Sequence, residues 1–330
     1  MENSVLILMA TYNGEVYLRK QIDSIIAQTH TNWKLLIQDD GSTDGTLEIL
    51  REYEQKDPRI EVLINNGQLH GPYHNFHELF CEAKKRPPYT YYAFCDQDDI
   101  WKKEKLEKLT KYCSDNAQEG EPVFVHSDLA VIDAEDRVIE QSVNQILGVD
   151  ISDNPVNLFF VHGYVWGCAS LFNHALFELV PSLNSDFTHR DIMSHDNYIA
   201  KHAVMYGKLL FYPVPMILYR KHGGNVTDSH KFRLSPMMVF RKAVFGFHDV
   251  CRIHAKVYNQ SLLALNVMNK EPQYSSIADK VKKIEAIIRV GGIKGVHGLY
   301  KFNVHRKQFS RSFALYFIML IGAYKKYLFK

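Results

Sequence analysis

A chain of 330 residues, 46% of them hydrophobic, is globular and longer than one core usually supports, so one large domain with an appendage is expected. The net charge of +2 conceals a division: residues 1–230 carry 20 Lys and Arg against 33 Asp and Glu, whereas residues 231–330 carry 19 against 4. Five cysteines (81, 95, 113, 168, 251) form no CxxC and no even set, which argues for a reducing compartment and against structural zinc. In chain order, Ser4–Met9 is a continuous apolar run, as in a strand covered on both faces. It starts so near the N-terminus, with no charged segment before it, that no signal peptide is expected. It ends at the turn Ala10-Thr11-Tyr12-Asn13-Gly14, after which Val16, Leu18, Ile22, Ile25 and Ile26 recur at helical spacing. Trp33–Gln38 is a second strand; Asp39 to Thr46 is a turn with capping residues, and a helix follows to about Gln55. A third strand (Ile60–Ile64), a helix around Asn75–Lys85 and a fourth strand (Tyr91–Cys95) complete a βαβαβαβ series. That alternation implies a parallel sheet with right-handed crossovers.

The fourth strand runs into Asp96-Gln97-Asp98-Asp99-Ile100-Trp101. Carboxylates packed this closely repel one another unless a positive charge sits among them. A divalent metal carrying a nucleotide diphosphate would supply it; a solvated acidic turn before a helix starting near Lys102 would read the same way. Three strand ends gather Thr11, Tyr12 and Asn13, then Asp39 and Asp40, then Asp96, Asp98 and Asp99 on the carboxyl rim where α/β sheets hold ligands. Gly41-Ser42-Thr43-Asp44-Gly45 lacks the spacing and the lysine of a phosphate-binding loop and reads as a tight turn.

Further on, Val123–His126 is a strand followed closely by Asp128, and Ile132–Val138 has hairpin character. Trp166, within Gly163–Phe172, is either a sugar-stacking ring or a core tryptophan. His195-Asp196 opens a helix with Tyr198, Ile199, Ala203 and Val204 on one side, where an acidic residue also serves as a cap. After Tyr219, the cations Arg220 and Lys221 suit a leaving diphosphate, and His222 is a candidate metal ligand or diphosphate contact, although a lone His near a strand end is more often structural. Asn225-Val226-Thr227 is a glycosylation sequon by pattern only. The domain boundary is placed near Asp228–Ser235, which gives a region 1–230 (halves 1–115 and 116–230) and a basic helical region 231–330. In that tail Ile277, Val281, Ile284, Ile287 and Ile288 fall at amphipathic spacing. Phe313–Tyr324 is too short to span a bilayer and reads as an interfacial or core helix flanked by cations. The charge asymmetry points to nucleic acid or an anionic membrane surface.

Ala-Thr-Tyr-Asn-Gly, Gln-Asp-Asp-Gly-Ser-Thr-Asp-Gly-Thr and Asp-Gln-Asp-Asp-Ile-Trp resemble family-2 glycosyltransferases of the GT-A fold. Ser194-His195-Asp196-Asn197 and Leu218-Tyr219-Arg220-Lys221-His222-Gly223-Gly224-Asn225 resemble its bacterial rhamnosyltransferase branch, which builds cell-wall, capsule and O-antigen polysaccharides. The resemblance covers about residues 4–228. It implies an α/β GT-A fold, a mostly parallel Rossmann-like sheet with flanking helices, extended here by the helical tail. It also implies that Thr11, Tyr12 and Asp40 line the pocket for the donor's base, with Asn13, Glu15, Asp39, Gln97, Arg220 and Lys221 also in the nucleotide-sugar site. Asp96 would face ribose and metal, and Asp98 would bind the metal, Mn2+ or Mg2+, directly. Asp196 would be the general base, and Trp166, His195 and Trp101 would approach the acceptor. The implied reaction is an inverting transfer from a nucleotide-diphosphate sugar, dTDP-L-rhamnose rather than a UDP-sugar, to a polyprenol-linked saccharide. The tail would hold the enzyme on the inner face of the plasma membrane, as a monomer or a homodimer. A nucleotidyltransferase would carry a cationic Gly-rich loop after the first strand, and here no cation precedes Arg19. A nucleic-acid-binding protein would not be expected to have so acidic a first domain.

Overall fold

The computed structural model describes residues 3–147, 154–161, 165–184, 187–223, 246–306 and 308–329. The sequon, Gly224 and the Asp228–Ser235 boundary lie outside them. The chain divides into two compact units: Met1–Val143 with Val165–Ala203 and Gly207–Val226, and Asn144–Tyr164 with Val204–Tyr206 and Thr227–Lys330. Residues 144–164, assigned from sequence to the first 230, thus group with the tail.

The first unit is built on one sheet. Strands β1 (Val5–Thr11), β2 (Trp33–Asp39), β3 (Ile60–Ile64) and β4 (Tyr91–Cys95) are mutually parallel. They are joined through helices α1 (Leu18–Ile26), α2 (Thr46–Lys56) and α3 (Pro72–Lys84). β1 and β4 bury almost every side chain, as expected of strands covered on both faces. The order β3-β2-β1-β4 reverses between β1 and β4, so the switch point lies between Thr11 and Cys95. Beyond β4 the sheet is mixed: β8 (Ser170–Asn173), β6 (Val123–Ile132) and β9 (Lys208–Arg220) follow, and β7 (Val138–Glu140) pairs with β6 across the expected hairpin. β6 runs six residues past His126 and buries Asp128 in its interior.

Two helix boundaries depart from the sequence reading. Val16 lies before α1 and is exposed, as is Ile26 at its end. The helix expected from Lys102 begins at Lys105 (α4, Lys105–Asn116), because Ile100–Trp101 form a two-residue strand, β5, antiparallel to Leu218 and Ile217 of β9. That pairing is long-range, so no local pattern announces it. Its effect is to fasten the end of β9 beside the acidic loop.

Four histidines are buried in this unit. His77 bonds the Met193 carbonyl through Nε2 at 2.8 Å, and His202 bonds Tyr198 O through Nδ1 at 2.8 Å. His126 sits inside β6, and His195 stacks at 3.7 Å on Phe76 and edge-on at 4.4 Å to Phe94. Burial pushes His77 and His126 down to about 3 and His195 and His202 down to about 4. Each therefore stays neutral in the fold while its unfolded counterpart protonates below about pH 6.5. Stability from these groups is present above that pH and is lost as pH falls towards 4, by up to about 1.4 kcal/mol per pH unit per histidine. Urea midpoints should fall steeply between pH 6.5 and 4.5; a flat profile there would refute the prediction.

The tail unit is helical: Phe247–Lys270, Ala278–Val290, Gly292–Lys301 and Phe309–Ile321. Val281, Ile284, Ile287 and Ile288 are buried on one face, as their spacing requires. Ser261 donates to Phe159 O at 2.8 Å, and Asn154 Nδ2 to Phe302 O at 2.6 Å, which ties in residues 154–159.

Candidate active site

The rim at the switch point is a lattice of side-chain-to-backbone bonds. Gln97 accepts from Tyr12 N at 2.8 Å and donates to Tyr12 O at 2.9 Å, clamping the ends of β1 and β4 together. Gly14 lies against that amide: a Cβ there would stand 2.4 Å from Gln97 Oε1. Asn13 donates its N–H to Ser42 Oγ and accepts from Thr43 N, both at 2.8 Å, while Glu15 accepts from Gly45 N at 2.5 Å. The Gly41–Gly45 segment is the expected tight turn, with Gly41 at φ +84°. Its organiser is Asp39, fully buried, which accepts from Gly41 N, Ser42 N, Ser42 Oγ and Thr11 Oγ1. Asp39 is thereby saturated as a turn residue, and the expectation of direct nucleotide contact is corrected. Asp40 accepts from Asn65 Nδ2 and Gly71 N, both at 2.6 Å, and lies 3.1 Å from His70 Nδ1. Thr11 is buried and Tyr12 is 55% exposed, so its ring is open to a ligand.

The acidic loop separates into two parts. Asp98 Oδ2 lies 2.7 Å from His222 Nε2, the contact that β5–β9 pairing makes possible. Asp96, Asp99 and Cys168 form a second group, with ligand atoms all within 4.8 Å of one another. Burial, then the charges of Asp98 and Asp196, push the Asp96 carboxyl up to about 7. Burial, then Asp98 and Asp96, hold Asp99 well above the usual carboxylate range. Burial likewise keeps the Cys168 thiol protonated.

Sequence reasoning missed Lys105. It is fully buried, donates to Cys168 O at 2.7 Å and lies 3.2 Å from the centroid of the Trp101 ring. Burial lowers it to about 8 against the thiols of Cys95 and Cys168 and the carboxylates of Asp99 and Asp96. The signal was available: Lys105 shares the buried stripe of α4 with Leu109 and Cys113, at steps of four. Trp101 itself is 2% exposed, with a ring face under that ammonium, so its expected acceptor contact is corrected. His195, packed on two phenylalanines and against Gly167, is likewise a core ring and not an acceptor ligand.

Arg220 also departs from expectation. It is fully buried, donates through Nε to Asp98 O at 2.8 Å and through NH1 to Asp133 O at 3.0 Å, and pairs with Asp136. Its guanidinium lies over the Tyr17 ring at 4.5 Å, and its N–H donates to Asp99 Oδ1 at 2.9 Å. Arg220 therefore braces the acidic loop against the β6–β7 turn and does not reach out to a diphosphate. Arg220→Ala should lose about 3–5 kcal/mol in urea unfolding, since a buried partnered charge is removed and its acceptors are stranded. A variant as stable as the wild type but weaker in donor binding would restore the phosphate role. Lys221, half-buried and bonded through N–H to Ile132 O at 2.8 Å, follows it.

Asp196 stands at the N-terminus of helix α5 (His195–Tyr206). Its Oδ1 accepts from Ser194 Oγ and Asn197 N at 2.6 Å and from Asn197 Nδ2 at 3.1 Å; Oδ2 accepts from Gly167 N at 3.1 Å. Next to Gly167, the half-buried Trp166 ring lies 6.0 Å from that of Tyr219.

Comparison with known proteins agrees with this architecture. The model of glycosyl transferase family 2 matches residues 6–179. Over 140 residues the chain is 34% identical to the putative teichuronic acid biosynthesis glycosyltransferase TuaG of Bacillus subtilis, covering 37% of this chain and 52% of TuaG. Over 100 residues it is 40% identical to the dTDP-rhamnosyl transferase RfbG of Shigella flexneri, covering 30% of this chain and 34% of RfbG. The chain thus spans about half or less of the length of these curated relatives. S. aureus TarS 1-349, solved with UDP-GlcNAc, superposes with a TM-score of 0.50 at 16% identity, covering 99% of this chain and 93% of that one.

Proposed function

The chain belongs to glycosyl transferase family 2, and from that premise we propose an inverting, metal-dependent transferase that moves L-rhamnose from dTDP-L-rhamnose onto a lipid-linked saccharide in polysaccharide biosynthesis. The observation that carries this reading is the gathering of carboxylates near the switch point: Asp98 lies 2.7 Å from His222, Asp96 groups with Asp99 and Cys168, and Asp196 accepts from the N–H of Gly167, the residue before Cys168. The rhamnose donor is supported by the sequence motifs and by the identity with RfbG, and the polysaccharide setting by that with TuaG.

In this reading the acceptor hydroxyl attacks the anomeric carbon as the bond to the diphosphate breaks, through an oxocarbenium-like transition state. The hydroxyl proton passes to Asp196. Among the described residues three donors converge on Oδ1 and Gly167 N alone on Oδ2, so Oδ2 is the oxygen with capacity for that proton. One base and one displacement invert the anomeric centre. Tyr12 and Asp40 flank the base of the donor. Asp96, Asp98 and His222 would hold Mn2+ or Mg2+, and the chemistry gained is neutralisation of charge on the leaving diphosphate. The donor types suit such a cation: the Asp98 carboxylate with the His222 imidazole 2.7 Å from it, and the Asp96 carboxylate from the adjoining group, in which Cys168 is kept as a neutral thiol that a hard ion does not take. A polyprenol-linked acceptor places the enzyme at the inner face of the plasma membrane. Among the described residues no helix is long and apolar enough to cross a membrane, so a peripheral position through the basic tail fits this setting.

Calorimetric titration with dTDP-L-rhamnose, other dTDP-sugars and UDP-sugars, with Mn2+ or with the cation chelated, tests the reading. Tightest binding of dTDP-L-rhamnose, dependent on the cation, is expected. Preference for a UDP-sugar overturns the donor assignment, and equal binding in chelator overturns the metal.

A further inference from the structure

The helix Phe309–Ile321 is apolar on both sides, and among the described residues only one side is buried. Leu315, Ile318 and Met319 are buried. Met319 meets Gly295 of the preceding helix so closely that a Cβ there would stand 2.7 Å from its Sδ. Just after the helix Tyr324 is locked inward, its hydroxyl donating to Ile288 O at 2.7 Å. On the opposite side Phe309 is 84% exposed and Phe313 62%, and Phe317, Leu320 and Ile321 continue the row. Steps of four link Phe309, Phe313, Phe317 and Ile321, and Leu320 stands three beyond Phe317, so the five share one face. An exposed apolar stripe of this size marks an interaction surface.

The surrounding charge identifies the partner. From residue 286 to the end the sequence holds nine Lys and Arg and no Asp or Glu. Exposed Lys294, Lys301, Lys325 and Lys326 lie on the adjoining segments, together with exposed Ile293 and Tyr300. We propose that the Phe309–Ile321 helix lies flat in the interface of an anionic phospholipid surface, its phenylalanine stripe among the acyl chains and the lysines among the headgroups. Two copies meeting through this face would bring two acid-free basic segments together, which charge repulsion opposes. The inference rests on the membrane setting proposed above and names the face that makes the contact.

The test uses the full chain, the double variant Phe313→Ser with Phe317→Ser, and the charge variant Lys294→Glu with Lys301→Glu. Each is cosedimented with vesicles of phosphatidylcholine alone or mixed with phosphatidylglycerol. Wild type should bind the mixed vesicles and release with added salt as screening shortens the reach of the charges. The serine variant should bind at least about tenfold more weakly, as two rings no longer leave water, with an unchanged melting temperature because both sites are exposed. The glutamate variant should lose the preference for anionic lipid. Equal binding to both vesicle types overturns the headgroup assignment. No vesicle binding, with concentration-dependent dimers that the serine variant abolishes, makes the stripe a contact between copies. Donor titration on the same variants should match wild type. Loss of vesicle binding with intact donor binding concerns this face alone, whereas absence of donor binding in wild type concerns the transferase reading.

Discussion

Asp98→Ala should abolish sugar transfer and cation-dependent donor binding while leaving the fold intact. Among the described residues the Asp98 carboxylate pairs with the half-buried His222 alone, so little packing depends on it. Its charge also raises the proton affinity of both Asp96 and Asp99. Removing it relieves that repulsion, and the cation-free variant should melt no lower than wild type. The cation should stabilise wild type, because it binds the folded state alone, and should no longer stabilise the variant. Turnover at the wild-type rate in Asp98→Ala, or full activity in excess EDTA, would sink the metal assignment.

Asp196→Asn should keep donor affinity and lose at least about 10²-fold in kcat, the low end of what a positioned general base supplies. The amide fits the site in shape. Its oxygen can take the position of Oδ1, where Ser194 Oγ and Asn197 N donate. Its NH2 then faces Gly167 N–H, donor against donor, at a stability cost of roughly 1–3 kcal/mol. An amide cannot accept the hydroxyl proton, so the loss belongs in kcat. A variant that binds donor poorly yet turns over normally at saturation would make Asp196 a binding residue.

The parallel half of the sheet was legible because its strands are short apolar runs punctuated by turn chemistry. β3 and β4 fall where the pattern puts them, and β1 and β2 extend it by a residue or two at their carboxyl ends. The gathering of the strand ends followed from topology alone. What sequence could not show was how the side chains are spent. Asp39 and Asp40 read alike, yet one is consumed by a turn and the other meets Asn65, His70 and Gly71 from the loop before α3. Arg220 reads as a free cation near a strand end, but a guanidinium has enough donors to serve several carbonyls at once, and here it does. Lys105 was hidden by the habit of placing lysine in water, although its helical spacing put it on the buried face.

The fastening of β5 to β9 also has a temporal side. Arg220 N–H to Asp99, Arg220 Nε to Asp98 and His222 to Asp98 each join residues more than 120 positions apart in the chain. Contacts of such separation close late, because the loop entropy must be met before they form. A nascent chain that has made only β1 to β4 holds the carboxylates without the brace that orders them. Competence for binding should therefore arrive with the slowest refolding phase of the first unit and not with its first helices and strands. The half-made chain is left without a working donor site.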